Sequence, residues 1–215
     1  MRSINATYAL ALHTSSPDLG LAISNFSGDS RQQLWNLGRD LSGQLLIKLA
    51  EFLQPQTWSD LAFLAVAIGP GGFTGTRIGV VAARTLAQQL EIPLFGISSL
   101  AAIAYQQNLS GSIAVQMPAQ RGELHTAVYQ RLAQSATPKE PGHHLTVIQS
   151  DTVLTPEAWQ TNLTQHPVDH HIQVESAQGR YAMSLLDLAH QQWQKGQRPH
   201  WSETLPFYGQ HPVEV

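Results

Sequence analysis

Residues 67–81 read AIGPGGFTGTRIGVV: an apolar run, a glycine-rich turn, then a segment with helical spacing. Four glycines and a proline crowd into residues 69–75. Loops of this composition hold phosphate groups where successive backbone N–H groups converge at a helix N-terminus. Both specific versions of that loop fail here. A Walker A loop needs a lysine followed by Ser or Thr, and the stretch contains no lysine. A dinucleotide fingerprint needs G-x-G-x-x-G, and Thr74 stands at its last position. A generic feature survives. The backbone from Gly69 and Pro70 through Gly71, Gly72 and Phe73, with Thr74 as helix N-cap, is a candidate nucleotide or anion loop. A tight turn whose glycines supply positive φ explains the same composition.

The helix beyond the loop has two ridges. Gly75, Gly79, Ala83 and Ala87 fall at steps of four and form a smooth one; Ile78, Ala82, Leu86 and Leu90 form the apolar ridge beside it. Arg77, Arg84 and Gln88 share the polar side. One apolar ridge covers a sheet, so the small-residue ridge is expected to admit a second helix at close range. DLSGQLLIKLAEFL, residues 40–53, is one such helix, with Gln44, Lys48 and Glu51 as a narrow polar stripe. Both helices carry more apolar surface than one neighbour covers. Leu41 and Leu45, with Gly75, Gly79, Ala83 and Ala87, are therefore the expected partner interface, and a homodimer the expected state in isolation.

Outward from this centre the pattern is α/β. YALALHTS, LGLAISNF and RQQLWNLG read as three strands, the first two joined at Pro17-Asp18. LAFLAVAIG is the continuous run of a strand covered on both faces. PLFGISS is a strand and LAAIAYQQ a short helix. A second series begins at Gly111: SIAVQMPA, ELHTAVYQRL and LTVIQSDTVL as strands, then TPEAWQTNL as a helix capped by Thr155 with Pro156 at its first position. HHIQVES is a further strand, RYAMSLLDLAHQQWQKG a helix ended by Gly196, and AQSATPKEPGHH an exposed loop. The second series loosely echoes the first, which suggests two related α/β subdomains with a cleft between them.

Bulk composition removes several function classes. A net charge of −3 with three lysines gives no electrostatic footprint for nucleic acid. Without cysteine there is no disulfide, thiolate nucleophile or Cys-ligated metal. The N-terminal stretch lacks a signal-peptide core and nowhere are there eighteen consecutive apolar residues, so a cytoplasmic protein without membrane contact is expected. His166, His170 and His171 cluster around Asp169, but Pro167 breaks the helix that would align them, so a polar loop is expected rather than a metal site. His143-His144 is a weaker case, and GISSL lacks the last glycine of a hydrolase elbow.

At these residues a family resemblance appears. GPGGFTGTRIGVVAARTLAQQLEIPLFGISSL, residues 69–100, resembles the GPGSFTGLRIG…GLA…IPL.GVSSL block of the TsaB (YeaZ) family of bacterial tRNA threonylcarbamoyladenosine biosynthesis proteins. ALALHTSSPDLGLAIS resembles that family's opening ILAIDTS…VAL, and MPAQRGELHTAVY its IDARRGEVY. The resemblance implies an actin-like ATPase (ASKHA) fold of two ribonuclease-H-like subdomains, set at 1–107 and 108–215. It implies a non-catalytic scaffold that binds the paralogous TsaD through its N-terminal helices. With TsaE it would support threonylcarbamoyl transfer to the adenosine 3′ of the anticodon, meeting tRNA only through the complex. Glycoprotease, peptidase family M22, is an older label for relatives.

The departures bear on chemistry. His13 stands at the Asp of DTS, Pro118 at the Asp of DAR, and Gln120 at the following Arg. Leu41-Ser42 replaces a His-Ser/Thr pair, and PFYGQ replaces a terminal Y-L-R. Active phosphotransferases of this fold hold a metal with acids at the ends of the two first strands, and neither imidazole nor proline offers carboxylate oxygen. No catalytic residue, metal ligand or cofactor of its own is assigned; any ATP binding is expected to be weak or to sit at a partner interface. The other readings are a nucleotide-dependent phosphotransferase or ATPase, and a divergent interaction protein without the tRNA role.

Overall fold

The structure, a computed structural model, describes residues 7–132, 144–176, 178–207 and 209. The first half runs β1 (Tyr8–His13), β2 (Asp18–Ser24), β3 (Ser30–Asn36), α1 (Leu41–Leu53), β4 (Leu61–Ala67), α2 (Phe73–Leu90), β5 (Leu94–Ile97) and α3 (Ser99–Gln106). Then come β6 (Gly111–Pro118), β7 (Leu124–Arg131), β8 (Leu145–Leu154), α4 (Pro156–Gln165), β9 (His170–Gln173) and α5 (Ala182–Gln194). This is the order read from the sequence. Most of the expected 133–144 loop, including His143, and Tyr208 and Gln210 of PFYGQ lie outside the described residues.

The two halves share one topology. The first sheet has the order β3-β2-β1-β4-β5 and the second β8-β7-β6-β9. In each, three antiparallel strands form a meander, and a fourth strand pairs parallel with the first of the three. This repeat gives physical form to the echo in the sequence and to the two ribonuclease-H-like subdomains of the ASKHA fold.

The molecule is layered. On the outer face of the first sheet, α1 and α2 cover Leu10, Leu12, Leu21, Leu64 and Val66. On its inner face, Ala9, Ala11, Phe63 and Ala65 join Ile113, Val115, Ala127 and Tyr129 of the second sheet in one core. Helices α3 and α5 lie between the sheets and pack on one another. Outside the second sheet, α4 buries Trp159 against Ala114 and Val128, and the indole N–H donates to Gln116 Oε1 at 2.8 Å. The start of α4 is as its sequence demands: the Thr155 hydroxyl accepts the Ala158 N–H, with Pro156 first in the helix.

A division at 107/108 separates the strands of the two sheets but not their helices. Helix α5 packs on β1, β2, β4 and β5, and α3 on β6 and β7. Later residues also return to the first half: the Thr204 hydroxyl donates to the Leu94 carbonyl at 3.1 Å, and the Phe207 N–H to the Ile68 carbonyl at 2.7 Å. The reason is burial. Both long helices of the first half lie outside its sheet, so its apolar inner face is covered by a helix from the end of the chain.

Candidate functional site

The glycine loop is a joint. Beyond β1 the chain runs through Thr14–Ser16 beside it, and the Gly72 N–H donates to the Ser15 carbonyl at 2.8 Å. The Ser99 N–H, at the start of α3, donates to the Gly69 carbonyl at 2.8 Å. Gly69 itself has φ of +97°, a conformation side chains disfavour. One backbone donor that an anion would need is thus committed to the segment that follows β1. Thr74 is not the N-cap: Gly72 holds that position with no capping side chain, and Thr74 is exposed in the first turn. Thr76 is the buried threonine, its hydroxyl donating back to the Gly72 carbonyl at 2.9 Å.

The small-residue ridge of α2 meets Thr14 beyond β1 and, at Gly75, Leu41 of α1. Gly79, Ala83 and Ala87 are buried, and Leu41 and Leu45 of α1 are 4% and 2% exposed. A Cβ at Gly75 would run into the Thr14 carbonyl oxygen, and one at Gly79 into Thr14 Oγ1. Five of the six residues are thus buried by the chain's own packing, and Gly75 is half-buried. Small side chains let α2 settle onto the end of β1. The ridge of Ile78, Ala82, Leu86 and Leu90 lies at the flank, partly buried. The surplus apolar surface sits elsewhere: Leu46 and Ile47 of α1 are 61% and 50% exposed, Phe73 and Val81 of α2 51% and 61%. The Arg77 guanidinium lies 3.6 Å from the centre of the Phe73 ring.

The acid positions of active relatives of this fold are filled differently here. His13 ends β1 fully buried, and neither ring nitrogen has a hydrogen-bond partner. Burial lowers its pKa to about 4, so the ring is neutral at pH 7. By strand alternation it points, like Ala9 and Ala11, toward the inner core. Pro118 ends β6 exposed, with no side-chain donor to offer. A hard metal ion and its nucleotide do not fit this pair: one ligand position is a buried neutral ring and the other has no ligand atom. No catalytic step follows from it.

The other histidines are held apart by individual bonds. His170 Nε2 pairs with the Ser110 carbonyl at 2.9 Å and His171 Nε2 with Gln116 Oε1 at 2.7 Å. Asp169 accepts both the N–H and the hydroxyl of Ser112. His166 is exposed at the end of α4. Among the described residues no three His, Asp or Glu side chains gather as metal ligands. Sequence reading missed a partly buried acid, Asp151 on β8, which bonds to Ser98 and Tyr129. The only sequence signal was an acid amid an otherwise uncharged strand, LTVIQSDTVL.

Comparison with known proteins places this arrangement. A family model described as TsaD: tRNA N6-adenosine threonylcarbamoyltransferase matches residues 43–154. The tRNA threonylcarbamoyladenosine biosynthesis protein TsaB of Bacillus subtilis (strain 168) is 35% identical over 127 residues, covering 56% of this chain and 54% of that protein. TsaB of Escherichia coli (strain K12) is 32% identical over 126 residues, covering 52% and 54%. By these matches the chain spans about half the length of the curated relatives, 54% in both cases. The structure of YeaZ from Pseudomonas aeruginosa superposes with a TM-score of 0.74 at 23% identity, over 94% of this chain and 100% of that one. That match extends the shared fold across both sheets. With its block of residues 43–154 matched by the model, the chain belongs to the family so described, and the relatives it resembles are TsaB and YeaZ proteins.

Proposed function

We propose that this chain is a non-catalytic scaffold in the formation of threonylcarbamoyladenosine in tRNA. It works beside a TsaD protein, with TsaE, and meets tRNA through that complex in the cytoplasm. The observation that carries this reading is the uncovered apolar surface of α1 and α2: Leu46, Ile47, Phe73 and Val81 are all at least half exposed. Exposed apolar groups gathered on two neighbouring helices mark a surface that a partner covers. In isolation a second copy of the chain takes that place. The ends of β1 and β6 support the non-catalytic part, since His13 and Pro118 leave no site for a metal-bound nucleotide. The chain uses no cofactor of its own, and ATP binds weakly at the glycine loop or at the partner interface.

The test is a reconstituted tRNA modification assay with the cognate TsaD and TsaE, this chain replacing TsaB. Modification is expected with the wild-type chain and lost with Leu46→Asp plus Val81→Asp. No modification with the folded wild-type protein would overturn the reading.

A further inference from the structure

The two halves of the molecule meet at a partly buried carboxyl. Asp151 belongs to the second sheet, and its Oδ1 accepts the Ser98 hydroxyl at 2.9 Å and the Tyr129 hydroxyl at 3.1 Å. Ser98 belongs to the first half. It follows β5 and caps α3, its Oγ accepting the N–H of Leu100 at 3.1 Å and of Ala101 at 3.2 Å. The next residue, Ser99, holds the glycine loop through the Gly69 carbonyl. One carboxyl thus joins β7, β8, the start of α3 and, through one more residue, the loop.

A proton count defines its state. Each hydroxyl has a single proton, and both oxygens lie within bonding distance of the same carboxylate oxygen and 3.3 Å from each other. The Ser98 lone pairs are already taken by two N–H groups. The set is strongest when Asp151 is ionised, because a charged acceptor makes each bond roughly twice as strong as a neutral one. Yet the ion is largely withdrawn from water, and among the described residues no cation acts on it. Burial outweighs the two hydroxyl donors and raises its pKa to about 6. Its titratable neighbours are themselves shifted by burial. Burial pushes Tyr129 well above its usual value, and burial also holds His125, on the same face of β7, toward its neutral form. Tyr105, the titratable side chain of α3, is raised mainly by burial and then by Asp187, not by Asp151.

We propose that Asp151 is a proton-responsive tie between the two halves. As a carboxylate it draws the Ser98 and Tyr129 hydroxyls together; protonated, it slackens the hold of the second sheet on the start of α3 and the loop behind it.

Local and global effects have opposite signs. The folded value lies above the unfolded one, so between about pH 4 and pH 6 the folded chain keeps a proton that the unfolded chain has released. The stability this group contributes is full below that window and is lost as pH rises through it. The tie itself is tightest above it. His13 behaves in the opposite sense, its stability falling as pH drops toward about 4, and burial lowers His125, His171 and His190 too, so the whole-protein profile mixes several groups. The difference between wild type and Asp151→Asn isolates the tie.

Three measurements test it. Carboxyl carbon NMR of the intact chain is expected to give Asp151 a midpoint near pH 6, and Ser98→Ala or Tyr129→Phe should each raise it by removing a donor to the ionised form. The ratio of wild-type to Asp151→Asn unfolding constants should change about a hundredfold between pH 4 and pH 8. Amide protection at Leu100 and Ala101, relative to β4 amides at the same pH, should rise from pH 5 to pH 7.5 in wild type and stay level in the Asn variant. A midpoint near pH 4, a midpoint unmoved in both hydroxyl variants, a constant ratio, or protection that does not rise would overturn the proposal. If Asp151→Asn does not fold, the titrations of the wild type and the hydroxyl variants decide alone.

Discussion

Thr14 occupies the space that a side chain on Gly79 would need. A Cβ built there meets Thr14 Oγ1, and the same hydroxyl donates to the Gly75 carbonyl at 2.8 Å. The end of β1 and the middle of α2 are therefore fastened at one point, and the glycines make that approach.

Gly79→Ala is accordingly expected to destabilise the chain by roughly 1–3 kcal/mol through overpacking, even though alanine favours a helix by about 1 kcal/mol. Gly79→Leu should cost more. On α1, Gly43 has open space at its Cβ, so Gly43→Ala should stabilise by roughly 0.4–1 kcal/mol. Thermal melting of the two alanine variants checks the contrast. Equal shifts would mean that Thr14 yields freely.

The purified chain should show no metal-dependent ATP hydrolysis above a buffer blank. His13 is buried and neutral, and Pro118 has no ligand atom, so neither first strand presents an acid to a metal. Steady turnover that vanishes on mutating a cleft residue would restore the phosphotransferase reading.

His13 also sets part of the acid limit of stability. Its folded pKa, about 4, lies below the ordinary histidine value. As pH falls through 6.5 the unfolded chain takes up a proton that the folded chain refuses, so stability drops from about pH 6.5 to about pH 4 and then levels. The span is on the order of 3 kcal/mol for this group alone. His13→Leu should remove that slope and be neutral or stabilising at pH 7, because it deletes a buried ring with no partner. Denaturant melts at pH 4.5 and pH 7.5 measure both effects. A slope left unchanged by the substitution would place the acid sensitivity elsewhere.

Much of this fold is legible locally. Strands β1, β2 and β4 run largely apolar, and α4 announces its start with Thr155-Pro156. The ridge Gly75–Ala87 was legible as a close approach but not as to what approaches. Spacing along one helix reports that room exists, whereas one neighbour, Thr14, lies 61 residues from its bonding partner Gly75. Asp151 meets Ser98 across 53 residues, so its burial is decided by how the sheets face one another. The surplus of apolar residues on α1 was visible as a number. Which of them stay outside, Leu46 and Ile47 rather than Leu41 and Leu45, follows from the face that turns to the sheet.

That outer face gives the last prediction. Leu46 and Val81 are each 61% exposed, on the two helices that cover the first sheet, so a charge there costs the isolated fold little. Surface substitutions away from packed features usually change stability within about 0.5 kcal/mol. Burying the same charge against an apolar partner surface is expensive, because the carboxylate loses water without gaining a counter-ion. Leu46→Asp and Val81→Asp should therefore leave the melting temperature nearly unchanged while weakening association, with itself or with TsaD, by one to two decades or about 1.4–2.8 kcal/mol. Gly79→Ala should do the reverse, lowering the melting temperature with little effect on association of the folded fraction. Sedimentation and melting of all three variants separate surface from core. If the aspartates leave association intact while Gly79→Ala abolishes it, the helical partner surface lies elsewhere on the molecule.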